Sequence, residues 1–401
     1  MSRIHPILLP GAIFVFLLWS CEKNPVQSGL PDDQLLGVRT LTQSQPEGVT
    51  YRVPPQFGHH TKLYLGPFQG YSCDYVLIQF AKTATNHSSL SWAKLLESDS
   101  LVVDSVYLEL GLALDSGATA PTVEGMLFSQ VGDSIFSETR STHLNFTESN
   151  FLQGSSFGNG DFVRIPPDTG QPFYRWDFAS LDSTFIDSSS SRTVGFRLVN
   201  PGIDSVKIFS RESATPPRIL VSYRTLDTSG EAVDTTTVSF TAVSDLTIVT
   251  PPDLSTADEE YLTVSAGLGL KSVISLDLAW MDTVSSTLVF DKAQLRLFLA
   301  DTNFTGHPSL QMVPLKDTVA VTPLQEFPDD AFQVESGFLV EAEPNGYSLT
   351  FNLKPILQSI RQEVLPNLGL KLQMKNTSRP FDRLHFLTDS TRLEVRYVQG
   401  R

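Results

Sequence analysis

The chain has 401 residues, 41% of them hydrophobic and 18% charged, with 29 basic side chains against 44 acidic ones and a net charge of −15. A chain this acidic repels phosphate backbones and anionic headgroups, which excludes nucleic acid as a partner and electrostatics as a means of membrane attachment. Its two cysteines cannot make a disulfide scaffold, so the fold must rest on an apolar core.

Residues 1–20 read as a lipoprotein signal peptide. Arg3 precedes an apolar stretch from Ile7 to Leu18 that is broken by Pro10 and Gly11. A secretory leader needs roughly 7 to 15 apolar residues, whereas a spanning helix needs roughly 20, so this stretch suits export and cleavage. Cys21 follows Leu18-Trp19-Ser20 and is itself followed by the polar Glu22-Lys23-Asn24. The pattern resembles the lipobox of bacterial lipoproteins, in which that cysteine receives a diacylglycerol and becomes the mature N-terminus. The resemblance implies a membrane partner reached through acyl chains on Cys21. Glu22, in place of the Asp that favours inner-membrane retention, points to the outer membrane of the cell envelope. The alternative is an ordinary secretory leader in which Cys21 is incidental.

Residues 21–55, with Pro25, Gly29, Pro31, Pro46 and Pro54, show little periodicity and are expected to form a flexible tether. The remainder reads as all-β: two tandem β-sandwich (jelly-roll-like) domains at 56–226 and 236–401, joined by a linker at 227–235, each with at most one short helix. Short alternating segments rich in Val, Ile, Leu and Phe, separated by Gly, Asn, Asp, Ser and Pro, carry that reading. Cys73 lies at the entry to one such strand, with no His or Lys beside it to stabilise a thiolate.

The two halves repeat. Asp104-Ser105-Val106-Tyr107-Leu108-Glu109-Leu110 aligns with Asp291-Lys292-Ala293-Gln294-Leu295-Arg296-Leu297, each placing apolar side chains at every second position. Further on, Val194-Gly195-Phe196-Arg197-Leu198 matches Leu368-Gly369-Leu370-Lys371-Leu372, and Arg218 to Tyr223 matches Arg392 to Tyr397. The separations Gly195 to Tyr223 and Gly369 to Tyr397 are both 28 residues. Preserved spacing argues for duplication, because a one-residue slip turns a strand's apolar face outward. Between the blocks, Lys354 to Val364 places Ile356, Leu357, Ile360 and Val364 on one face of a helix, with Pro355 in its first turn and Pro366 ending it.

Tyr174-Arg175-Trp176-Asp177-Phe178, Phe209-Ser210-Arg211-Glu212 and Pro217-Arg218-Ile219-Leu220-Val221-Ser222-Tyr223, together with the Asp104 strand, resemble the DNRLRE domain family. Those are bacterial extracellular β-sandwich modules similar to carbohydrate-binding modules. The second half departs from the pattern: Phe386-Leu387-Thr388-Asp389-Ser390-Thr391-Arg392 lacks the Ser-Arg-Glu and the prolines. The resemblance implies polysaccharide as a ligand class.

Sugar binding draws on exposed aromatics. Tyr64, Phe68 and Tyr71, in a Gly-punctuated segment, and Trp92, in a polar stretch, are the candidates for an exposed platform, whereas Trp176 and Trp280 lie in alternating strands and read as core. Adjacent His59 and His60 point to opposite faces of an extended segment and do not converge on one metal. Asp32-Asp33, Asp258-Glu259-Glu260 and Asp329-Asp330 read as solvated loop charges. No cofactor is called for; structural calcium has candidate loops at Asp301-Thr302-Asn303 and from Asp227 to Asp234, neither with EF-hand spacing. The expected function is a non-catalytic, lipid-anchored envelope module for binding or adhesion. The rivals are an accessory lipoprotein docked to an envelope protein and, less favoured, a glycan hydrolase, which needs two carboxylates flanking a cleft.

Overall fold

Alternation along the Asp104 strand buries Val106, Leu108 and Leu110 and half-exposes Ser105 and Tyr107, so one face of each such strand demands a cover. The computed structural model, which describes residues 37–44, 46–114, 119–130, 137–146, 151–152, 156–164, 171–179, 193–284, 288–301, 307–375 and 380–399, meets that demand with two all-β bodies.

In the first body one layer runs β11 (Asp161–Val163), β12 (Phe173–Phe178), β7 (Leu101–Gly111), β15 (Arg218–Leu226) and the first half of β16 (Ala232–Thr250). The facing layer runs from the second half of β16 through β4 (Tyr71–Phe80), β13 (Thr193–Leu198) and β8 (Val123–Gln130) to β10 (Ser156–Asn159). Because β16 serves both layers, the two are one continuous sheet bent almost into a barrel. At its margins β3 (Lys62–Phe68) joins β4 to β14 (Val206–Phe209), and β9 (Phe151–Leu152) extends β8. β5 (Thr83–Ala84) and β6 (His87–Ser91) form a hairpin leading into α1 (Trp92–Glu97). Motif residues brace the outer face: Glu109 on β7, only 5% exposed, receives Arg175 from β12 at 2.5 Å and Arg218 from β15 at 3.0 Å.

The second body has one layer in the order β1 (Gly37–Ser44), β26 (Arg392–Gln399), β19 (Val289–Phe298), β23 (Ser348–Asn352). The other runs β21 (Gln325–Glu326), β2 (Glu47–Arg52), β18 (Leu270–Ser275), β24 (Leu370–Met374), β20 (Leu310–Pro314), β22 (Val340–Ala342), with β17 (Leu262–Val264) paired to β25 (Leu384–Phe386) alongside. The predicted helix is present but shorter, as α3 (Lys354–Arg361), with Ile356 and Leu357 in the core, Ile360 half-buried against it, and Val364 beyond its end and exposed. A short α2 (Thr256–Glu260) sits in the connection between bodies.

Two boundaries differ from those expected. Residues 37–52 are not tether: β1 pairs with β26 over eight residues and β2 with β18 over six, so the N-terminal segment completes the second body. Of the prolines that suggested a tether, Pro46 and Pro54 flank β2 instead of interrupting it. Nor is 227–235 a linker. Asp227 to Glu231 is the turn of the β15–β16 hairpin, its Asp227 carboxylate accepting the Ser229 and Glu231 N–H groups at 2.8 and 3.0 Å.

The same comparison exposes a reciprocal arrangement. Tyr51 to Leu77 aligns without a gap on Ile248 to Ile274, matching Pro54-Pro55 with Pro251-Pro252, Tyr64-Leu65 with Tyr261-Leu262, and Gly70 with Gly267. Each repeat therefore begins with a strand segment, β1–β2 in one and β16 in the other, that lies in both layers of a sandwich. Neither stays at home. β16 closes the body built from the first repeat, and β1–β2 closes the body built from the second.

Candidate functional site

Where the bodies meet, the aromatics expected to form an exposed platform are glue. Tyr64 and Tyr71 are each 3% exposed and pack with half-buried Phe68 around Phe381 of the second body, at centroid distances of 4.8, 4.9 and 5.7 Å. Cys73 is buried in the same cluster with Phe57, Leu77, Leu246 and Leu268. Burial, with Asp74 nearby, pushes its thiol well above the ordinary range. The segment looked loop-like because of its glycines, but it is the β3–β4 hairpin, and its outward face is covered by the other half of the chain. Trp92 is also core: it opens α1, capped by the Ser91 hydroxyl accepting the Lys94 N–H at 3.2 Å, and meets Phe240 edge-on at 5.0 Å. The expected platform of Tyr64, Phe68, Tyr71 and Trp92 therefore does not exist. Trp176 is core, as expected, while Trp280 stacks on Tyr397 at 5.3 Å at the margin of the second core.

The open site is elsewhere. A cleft of about 640 Å³ lies on the outer face of the first body, on strands β4, β8, β13 and β16. Tyr75 and Phe146 supply aromatic surface, and Asp74, Glu124, Arg197 and His143 supply polar groups. Arg197 donates to Glu124 at 2.8 Å. Hydrogen bonds from Ser156 and then Arg197 hold the Glu124 carboxyl below its usual range, so it stays an acceptor. Gly195 behind the cleft has no side chain because the Phe128 ring occupies the space: an added Cβ would stand 1.6 Å from it. His143 and Phe146 belong to the 137–146 segment, which straps the first body to the second, where His143 and Leu144 line a smaller cavity with Arg52 and Glu326. Burial, then the Arg52 charge, keeps His143 below the ordinary imidazole range.

The other end of that strap holds a charge cluster. The histidine pair splits, though at a turn and not along an extended segment: His60 is buried against Phe57 at 5.0 Å, while exposed His59 comes within 4.8 Å of carboxylate oxygens of Glu138 and Glu212. An imidazole and two carboxylates could ligate a metal, but the Ser210-Arg211-Glu212 motif already supplies a cation. Arg211 Nε lies 3.1 Å from Glu138 Oε1 and 2.7 Å from Glu212 Oε1. Behind it, fully buried Asp245 accepts the Arg211 N–H at 2.6 Å. Burial, with Glu212 and Glu138 adding repulsion, pushes its carboxyl up to about 8.

The loop carboxylates have structural work that spacing did not disclose. Asp330 is exposed, as expected of a loop acid, yet it also bridges Lys271 at 2.6 Å and Lys371, and accepts the Tyr51 hydroxyl at 3.1 Å. Asp258 is 1% exposed, closes a capping box with Ser255, and pairs with Arg383 at 3.0 Å. Asp227 is filled by donors of its own turn, including the Ser229 hydroxyl at 2.6 Å, leaving the calcium reading there without support. Cys21, the leader, Asp32-Asp33 and the Thr302-Asn303 part of the other calcium loop lie outside the described residues. No described helix is long and apolar enough to cross a membrane.

No family model, curated protein or solved structure matches the chain.

Proposed function

We propose that the chain is a non-catalytic, lipid-anchored binding protein of a bacterial envelope, displayed from the outer membrane and recognising a saccharide in the first-body cleft. The cleft carries this reading: it sets a tyrosine and a phenylalanine beside an oriented guanidinium–carboxylate pair, the combination that stacks on a sugar ring while gripping its hydroxyls. Glu124, held ionised by its partners, suits acceptance of hydroxyl protons and not proton donation to a leaving group. The lipobox-like leader and the DNRLRE resemblance support the place and the ligand class.

A glycan array probed with the full chain and with Tyr75→Ala tests the proposal. Binding by the parent that falls at least tenfold in the variant is expected. An array on which the parent binds nothing refutes it. The docking of a protein partner is the second reading, favoured by apolar Val199 on the cleft wall and by Leu144, 62% exposed, beside it on the strap. Co-purification of one stoichiometric envelope protein, with a silent array, would establish that alternative.

A further inference from the structure

The exchange of first strands follows one rule: each body is completed by the strand that opens the next repeat. β15 ends the first body, and the turn at Asp227 to Glu231 returns β16 along it as a hairpin partner. β26 ends the second body in the equivalent place, with β19 along one edge and β1, not a hairpin partner, along the other. The position beside β26, and beside β18 in the other layer, is taken by β1–β2 from the opposite end of the chain. The molecule is thus a two-unit ring closed by its own N-terminal segment.

Such a closure is heterologous: the surface offered by β1–β2 differs from the groove between β26 and β18, and nothing in the pairing requires both to belong to one chain. β1 is paired along one edge only among the described strands, and β2 passes into the body-to-body crossing through Val53-Pro54-Pro55, a stretch that prolines keep extended. We propose that the second body also accepts β1–β2 from a second copy of this chain, so that two copies close into one larger ring in which each completes the other. The occupant is fixed by register: eight consecutive pairs from Gly37 opposite Gln399 to Ser44 opposite Arg392, and six from Glu47 opposite Ser275 to Arg52 opposite Leu270. Among the described residues, the buried contacts are supplied by Thr50 and Tyr51, with half-buried Val49 beside them and half-buried Leu41 against the second core. This inference stands on topology and is independent of the saccharide reading.

The test uses full chains carrying Cys21→Ser, so that only introduced thiols and the deeply buried Cys73 remain. Val38 and Val398 are paired across β1 and β26. A Val38→Cys, Val398→Cys chain should close an intrachain disulfide on mild oxidation. Separate Val38→Cys and Val398→Cys chains are then unfolded, mixed, refolded and oxidised. With an effective concentration on the order of 1 mM for the chain's own segment, roughly a tenth of the chains should appear as a covalent heterodimer at about 100 μM, rising with concentration. Absence of the heterodimer at every concentration, with the doubly substituted chain closing normally, overturns the inference. Failure of the doubly substituted chain to close overturns it too, by removing the register on which it stands.

Discussion

Asp245 in the first body is fully buried and Asp330 in the second is a part-exposed loop acid, and their surroundings drive them in opposite directions. Burial also opposes ionisation at Asp330, but Lys271 and Lys371 outweigh it and hold the carboxyl at about 2. Asp245 faces two other carboxylates and shares a single guanidinium with them, so burial prevails and the carboxyl titrates at about 8. Burial alone does not decide the charge of an acid; the number of cations it need not share does. One body is thereby fastened by an ion cluster, and the other carries a group that changes charge near neutrality.

The comparison breaks most sharply at Asp330. Asp330→Ala leaves Lys371, 5% exposed, as an uncompensated buried ammonium and should cost the second body about 4 kcal/mol in chemical denaturation. In the parent, a carboxyl lowered from its unfolded value contributes stability that is complete above about pH 4 and lost as pH falls towards 2, a loss the variant should not show. Phe381→Ala removes the ring around which Tyr64, Phe68 and Tyr71 gather, at a cost of about 3 kcal/mol, and should split one thermal transition into two, letting each body be read separately. Asp245→Asn tests the other side, with the smallest effect of the three near pH 4 and a growing one as pH rises. A carboxyl raised from 3.8 to about 8 favours the folded state fully below about pH 4 and progressively less as pH rises to 8. The amide should abolish that slope, leaving the melting temperature unchanged near pH 4 and raised near pH 8, measured calorimetrically with a chelator present.

What could be read from residues alone was whatever alternates. The strands around Val106 and Leu295, the paired 28-residue spacing and the helix at Lys354 all follow from a period that local sequence fixes. The N-terminal strands escaped because β1 lies at a sheet edge with most of its described side chains exposed, and an edge strand with one covered face carries little apolar signal. The exchange between repeats is a property of topology, announced only by the aligned Pro-Pro, Tyr-Leu and Gly positions. Site residues were harder still. Tyr64 and Tyr71 have the composition of a sugar platform, and only the arrival of Phe381, more than 300 positions later, makes them interior. Asp330 looked like any loop acid until two lysines from neighbouring strands converged on it.

Placing β1 and β2 in the second body also sets how the molecule would bear load. Were Cys21 to carry the proposed acyl group, fifteen residues would separate it from Gly37, a reach of at most roughly 55 Å. Tension between the bilayer and anything held by the first body would then pass along β1 and β2 in series. Both would be drawn parallel to their ladders with β26 and β18, so rows of backbone hydrogen bonds resist together instead of unzipping one by one. The segment that sequence alone suggested as slack is the part positioned to act as a mechanical clamp.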